Sequence, residues 1–278
     1  MTCAVSGGAD SSALAVLAVA AGCDATLVHV DHGLRPGSAS EADVVARLAD
    51  RLGCAMRSVR AEVGHGPNLE ARARDARYAA LPPDVLTGHT ADDQAETVLL
   101  HLLRGASLNG LAGMRPGPRR PLLALRRTET HALCTALGLE LVSDPSNLDR
   151  RHLRNTVRLD LLPALSEAAA RDLVPVLVRQ ADLARDDADL LDSLATEIDP
   201  TDARALAAAP PALARRAVRG WLTTDHPPDA ATVERVLAVA RGEAVATDAG
   251  GGRRIGRSHQ RLRLVEPTAP SADGSASE

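Results

Sequence analysis

The chain has 278 residues, a formal charge of −4, and thirty-two basic residues that are all arginine. The absence of lysine excludes a Gly-Lys-Ser/Thr phosphate loop and Schiff-base chemistry, and a single Tyr, a single Trp and no Phe argue against base-stacking nucleic-acid platforms. No window of about twenty residues is uninterrupted apolar, no basic stretch precedes the first apolar run, and Cys3, Cys23, Cys54 and Cys134 are scattered without C-x-x-C spacing. These features predict a cytoplasmic protein with unpaired thiols, no membrane contact, and enough length for a full core and a second domain.

In chain order, Thr2–Val5 reads as a short buried strand, Ser6-Gly7-Gly8-Ala9-Asp10 as a small-residue turn, and Ser11–Ala21 as a helix. Further strands are predicted at Ala25–Val30, Ala55–Val59 and Val85–Thr87, and helices at Ser40–Leu52, Leu69–Leu81 and Asp92–Leu103. Alternation of this length implies βαβ units, hence an α/β fold: a Rossmann-like, doubly wound parallel sheet with helices on both faces. A Gly/Pro/Arg-rich loop follows from Gly105 to Pro121, then a helix at Thr128–Leu137, a last strand at Glu140–Val142 and turn chemistry at Ser143–Asn147. From Val157 the pattern is helical and rich in Ala, Leu, Arg and Asp. The expected organisation is a nucleotide-binding catalytic domain over 1–162, a smaller, mainly helical domain over 163–266 that closes in a basic hairpin, and a disordered tail over 267–278.

In a doubly wound sheet, ligands sit beyond the carboxyl ends of the strands. Three such ends carry polar residues here: Ser6-Gly-Gly, Asp31-His32-Gly33 and Gly88-His89-Thr90. The first turn, with glycine freedom and a helix N-terminus behind it, forms an anion cradle to which Asp10 adds a metal ligand and Ser11 a hydroxyl. Asp31 lies where the base or ribose of a nucleotide would lie if phosphates filled that turn. Thr90 and Asp93 have capping spacing, while Asp93 and Glu96 share a helix face below His89. A His with two carboxylates can hold a metal, transfer protons or hold a cation. Asp92 reads as a simple first-turn acid matched to the helix dipole. The run Asn68–Tyr78 reads either as a solvated face or as a source of arginines for a polyphosphate.

Taken together, these stretches resemble one family. Ser6-Gly-Gly-Ala-Asp-Ser11 looks like the loop of the N-type ATP pyrophosphatases. His29–Arg35, Leu69–Tyr78, Gly88–Glu96, Leu103–Ala106, Arg120–Leu123 and Asp144-Pro-Ser-Asn147 through Arg154, Asn155, Arg158 and Leu162-Pro163 follow in the order of the tRNA(Ile)-lysidine synthases. The resemblance covers roughly the first 165 residues and is faint beyond them.

It implies that ATP adenylylates the wobble cytidine of the CAU anticodon of tRNA(Ile), that free L-lysine displaces AMP, and that decoding changes from AUG to AUA. It further implies ATP binding by Ser6, Gly7, Gly8, Ala9, Asp10, Ser11 and Asp31, with Asp10 helping to place Mg2+. His89 would be the catalytic histidine, with Arg72 and Arg74 on the side of the activated intermediate. Asp93 and Glu96 would recognise lysine. Arg104, Arg115, Arg119, Arg120 and Arg154 would contact tRNA, and the family suggests a homodimer. The competing readings are a tRNA thiolase of the same superfamily, disfavoured by the missing cysteine pairs, an NAD- or GMP-synthetase-like ligase, and a non-catalytic nucleotide sensor.

Overall fold

The computed structural model describes residues 1–31, 38–61, 72, 75, 76 and 78–265, with the side chains of 38–40 left aside. The chain forms two compact units, Met1–Arg185 and Asp186–Glu278. The expected tail at 267–278 and Arg74 lie outside the described residues.

The first unit contains β1 (Thr2–Ala4), α1 (Ala9–Ala20), β2 (Thr26–Asp31), α2 (Ser38–Leu52), β3 (Ala55–Arg60), α3 (Ala91–Leu103), α4 (Leu108–Leu111) and α5 (Arg127–Ala136). The three strands are parallel in the order β1-β2-β3. The segment after Val85 lies on the free edge of β1 through a parallel bridge between Cys3 and Leu86. There Ala4 N–H donates to the Leu86 carbonyl at 2.9 Å and Leu86 N–H to that of Thr2 at 2.8 Å. The chain therefore winds outward through β2 and β3, then jumps back across β1. That reversal places a crevice between the ends of β1 and of the Leu86 segment.

Alternation along the strands divides the core into two layers. Cys3, Val5 and Leu27 face α1, α2 and α5 with Leu14, Val45, Leu48 and Cys134. Ala4, Val28, Val30 and Val59 face the opposite way, onto Leu81 and Val85. Fully buried leucines such as Leu14 and Leu27 each contribute about 1.5–3 kcal/mol.

Two expected strands differ. Val85–Thr87 forms only the Leu86 bridge, and Glu140–Val142 forms no ladder. Instead Val142 N–H donates to the carbonyl of Gly7 at 2.9 Å, so this segment props the first turn from below. Its Leu141 packs into the same core as α1, which accounts for the strand-like apolar pattern. The first turn itself is two residues tighter than it reads: Gly8 is the N-cap of α1, which starts at Ala9, and Asp10 sits inside the first helical turn.

Further along are a 3-10 turn at Pro145–Leu148, α6 (Leu153–Thr156), a π-helical turn at Val157–Leu161, α7 (Leu162–Ala168) and α8 (Val174–Ala195). Buried Asn155 donates to the carbonyls of Ser146 (2.7 Å) and Asp149 (2.9 Å). This staples the Asp-Pro-Ser-Asn turn to α6. The second unit holds α9 (Ala203–Ala208), α10 (Pro211–Leu222), α11 (Ala230–Arg241) and an antiparallel meander β4 (Ala246–Gly250), β5 (Arg253–Ser258), β6 (Arg261–Val265). Its own core includes Leu206, Leu222, Val236 and Ile255.

Candidate active site

The first turn is built by conformations that only small residues permit. Gly7 has φ +83°, and a Cβ there would stand 2.5 Å from Cγ2 of Val142. Gly88, across the crevice, is equally constrained, since a Cβ would meet the Asp10 carbonyl oxygen at 2.7 Å. Ser11 Oγ accepts from Ser6 N–H at 3.1 Å and donates to the Gly8 carbonyl at 3.0 Å, with Ser6 Oγ 3.2 Å away. The loop is thus preorganised by its own hydroxyls, with the N-terminus of α1 behind it.

The end of the Leu86 segment supplies the opposite wall. Thr87 donates from its hydroxyl to the Arg119 carbonyl at 3.1 Å, and the same oxygen lies 2.8 Å from His89 Nδ1. With its proton spent on Arg119, Thr87 Oγ1 is left to accept from Nδ1–H of His89, which orients the ring. Thr90 caps α3 reciprocally with Asp93: Asp93 Oδ2 accepts from Thr90 N–H (2.9 Å) and Oγ1 (3.0 Å).

Asp93 and Glu96 turn inward from α3 onto arginines that arrive from elsewhere in the chain. Arg127, the first residue of α5, donates to Asp93 Oδ1 and to Glu96 Oε1, both at 3.0 Å, and its Nε lies 3.4 Å from Asp10 Oδ2. Arg158 is bidentate on Glu96 at 2.7 and 3.1 Å. Arg154 lies 3.7 Å from Glu96 and donates to Thr97 Oγ1 at 2.9 Å. Arg158, in the π-helical turn that begins at Val157, is four positions after Arg154, and both reach the same carboxylate. Asp10 also accepts from the hydroxyl of Thr130.

Burial pushes the Asp10 carboxyl up, and its hydrogen bond from Thr130 and the charge of Arg127 do not fully offset this. Burial works the same way at Asp93, but there Arg127 and the Thr90 amide win and the carboxyl is held below its ordinary value. Arg127 is itself desolvated, yet Asp93, Glu96 and Asp10 together raise it above the usual arginine value. Asp92 faces away from this cluster. It is bidentate with Arg126 at 3.1 and 3.2 Å and caps the Arg127 amide at 2.8 Å, which fixes the backbone from which Arg127 reaches.

Comparison with known families gives this geometry a context. A PP-loop domain model matches residues 1–165 and a TilS substrate binding domain model matches 202–263. The tRNA(Ile)-lysidine synthase of Nocardia farcinica is 42% identical, over 94% of this chain and 87% of that protein. This chain belongs to the tRNA(Ile)-lysidine synthase family. The family enzymes of Mycobacterium tuberculosis (40% identical, 94% of this chain and 86% of theirs) and Salinispora tropica (41%, 96% and 90%) are similar over the same extent. Among solved structures, a U34-tRNA thiolase from Methanococcus maripaludis matches with a TM-score of 0.54 and 17% identity, covering 66% of this chain and 72% of that one. That likeness is one of fold.

Within this lysidine-synthase-family chain, Arg127 ties Asp10, at the first turn, to Asp93 and to the fully buried Glu96, and His89 lies beside Thr87 at the end of the Leu86 segment. Asp31 closes β2 on the same sheet edge. Arg72 is half-buried in helical backbone. Arg104, Arg115 and Arg119 are exposed, and Arg120 is half-buried with Nη1 on the Arg115 carbonyl at 3.2 Å. Arg154, expected at tRNA, has its guanidinium turned onto Glu96 and Thr97. The sequence reading missed Arg127 altogether and gave Arg158 no role. The only local hint was an arginine pair, Arg126-Arg127, at the mouth of a helix.

Proposed function

We propose that this chain is an ATP-dependent ligase that joins L-lysine to the wobble cytidine of a CAU-anticodon tRNA(Ile), in two half-reactions at the crevice described above. In the first, the cytidine carbonyl oxygen attacks the α-phosphorus of ATP, forming the O–P bond of an adenylylated base and releasing pyrophosphate. In the second, the unprotonated ε-amine of lysine attacks the activated ring carbon, the C–O bond breaks, and AMP departs as the amine proton is lost to a base.

The observation that supports this reading best is the single guanidinium of Arg127, which joins the phosphate loop at Asp10 to the acid pair Asp93–Glu96. A chemistry that passes from a polyphosphate to an ammonium-bearing nucleophile needs those two subsites adjacent. Backbone amides and hydroxyls of Ser6–Ser11 hold phosphate oxygens. His89 stands at the crevice wall as the proton acceptor for the second step, its ring oriented by Thr87. Asp93 and Glu96 take an ammonium of the incoming amino acid.

The donor set fits Mg2+ held mainly by phosphate oxygens and water. Asp10 is the carboxylate of the loop, and its oxygens are already shared with Thr130 and Arg127. When bound, Mg2+ would neutralise charge on the leaving pyrophosphate. The basic loop from Arg104 to Arg120 and the second unit would meet the tRNA backbone.

The deciding experiment is ATP-dependent incorporation of radiolabelled lysine into tRNA(Ile) carrying a CAU anticodon. Incorporation with stoichiometric AMP and pyrophosphate is the expected result. Sulfur transfer to tRNA without lysine incorporation would instead establish the thiolase reading.

A further inference from the structure

Every carboxylate oxygen of the acid pair assigned to lysine already accepts a hydrogen bond in this structure. Asp93 Oδ2 is occupied by the Thr90 amide and hydroxyl, and Oδ1 by Arg127. Glu96 is fully buried, with Oε1 taken by Arg127 and Arg158 and Oε2 by Arg158. The charges of the cluster also balance: Asp10, Asp93 and Glu96 against Arg127, Arg154 and Arg158. An ammonium entering here adds an uncompensated cation to a poorly solvated site and meets only oxygens already shared with a guanidinium or with Thr90. One guanidinium must leave first.

Arg127 is the one placed to do so. Arg158 grips Glu96 through two parallel bonds, the geometry that is hardest to exchange. Arg127 spreads single bonds over three carboxylates, and one of these, Asp10, stands in the first turn of the phosphate-loop helix. Its backbone is pinned by Asp92 and by the start of α5, so the side chain pivots on a fixed base. A polyphosphate in the loop offers a stronger and bidentate partner a short distance from Asp10.

We infer that Arg127 is an exchangeable counter-ion that makes lysine binding depend on ATP: paired as it is here with Asp93 and Glu96 it keeps them from an incoming ammonium, and it releases them when phosphates draw it to the loop. This rests on the assignment of Asp93 and Glu96 to lysine. It makes Arg127 a positioning residue that enforces the order of the half-reactions, because the amine is admitted only once the phosphate site is filled.

The test is isothermal titration of L-lysine into the full chain, with and without saturating Mg2+ and a non-hydrolysable ATP analogue whose binding is measured separately. For the wild type the expected result is at least a tenfold tighter lysine Kd with the analogue. For Arg127→Ala, lysine affinity without nucleotide should rise toward the wild-type value with nucleotide, so the dependence collapses. Arg127→Lys, which keeps the charge, should retain part of it. Equal lysine affinity with and without nucleotide in the wild type overturns the inference. Should Arg127→Ala fail to fold, this wild-type comparison still decides. Asp93→Asn and Glu96→Gln separate the two levels. If lysine binding is indifferent to both, the assignment of the acids fails. If it is sensitive to both but independent of nucleotide, only the role of Arg127 fails.

Discussion

At the scale of single residues, the site is a set of carboxylates sorted by what surrounds them. Asp93 and Asp92 are neighbours on α3, yet one faces the crevice and the other braces α5. Asp93→Asn keeps the capping oxygen that serves Thr90 but removes the charge that pairs with Arg127. We expect the KM for lysine to rise about tenfold or more, a loss of about 1.4 kcal/mol, while the KM for ATP changes little. Steady-state kinetics with each substrate varied in turn checks this, and equal loss of both would remove the assigned role. Asp92 gives a pH signature. Its carboxyl is desolvated, but Arg126 and the Arg127 amide hold it below the ordinary aspartate value of 3.8. A lowered carboxyl stabilises the fold fully above that value, and the contribution is lost as pH falls through the lower, folded-state value. Asp92→Asn should therefore cost about 1 kcal/mol at pH 7, from the lost charge of a partly exposed ion pair and the one Arg126 bond that an amide cannot accept. By pH 3 the difference from wild type should shrink. Urea unfolding at the two pH values measures both.

The residues legible in the sequence were those whose partners are close along the chain. Thr90 with Asp93, and Ser6 with Ser11, are three and five positions apart, so their spacing alone carries the geometry. Arg127 and Arg158 meet Glu96 across 31 and 62 positions, and no local pattern encodes that meeting. An arginine that closes a buried charge cluster looks, in sequence, like any arginine on a helix.

At the scale of elements, turns and loops are held by contacts that period-based reading does not see. The Gly105–Pro121 stretch reads as irregular, and mostly is, yet it contains α4 and is clamped to α3. The buried side chain of Gln94 donates to the Met114 carbonyl at 3.0 Å and accepts from its amide at 2.8 Å. Arg185 donates to the Ala112 carbonyl at 2.8 Å. The segment Leu139–Val142 has a strand's apolar pattern because it lies under the phosphate turn, where burial matters and pairing does not. That support can be tested through Gly7. Gly7→Ala introduces both a left-handed alanine and a clash with Val142, together worth about 2–4 kcal/mol. ATP affinity should fall in parallel, since the turn carries the cradle. Adding Val142→Ala removes the clash but not the strain, so the double variant should recover part of the thermal stability and of the ATP affinity. Full recovery would mean that φ at this position is not constrained, and no recovery that Val142 is not the obstacle.

At the scale of the whole molecule, the two units differ in how plainly sequence describes them. The first has short motifs at strand ends and a strict strand–helix rhythm, so the parallel sheet and the position of the crevice follow from it. The second is built from amphipathic helices rich in alanine and arginine, and only its closing basic hairpin stands out. Its meander sorts its side chains by the two-residue period of a strand. Ile255, Leu262 and Leu264 line the core of the unit, while Arg254 and Arg263 are exposed on the other face of the same sheet. These two arginines are not equivalent. Arg254 stands opposite Asp248 on β4, so part of its field is cancelled, whereas Arg263 stands opposite Gly256, which has no side chain. If this face meets a phosphate backbone, Arg263→Ala should weaken tRNA binding several-fold and lower the slope of log affinity against log salt by about one. Arg254→Ala should do less, unless Asp248→Ala first unmasks it. Affinity measured across a salt series for the three single variants and the Arg254→Ala/Asp248→Ala pair reads out the order directly. ATP binding, which belongs to the first unit, should be unchanged in all of them. A loss that is the same at every salt concentration would mean that the arginines act through the fold of the meander instead of through charge.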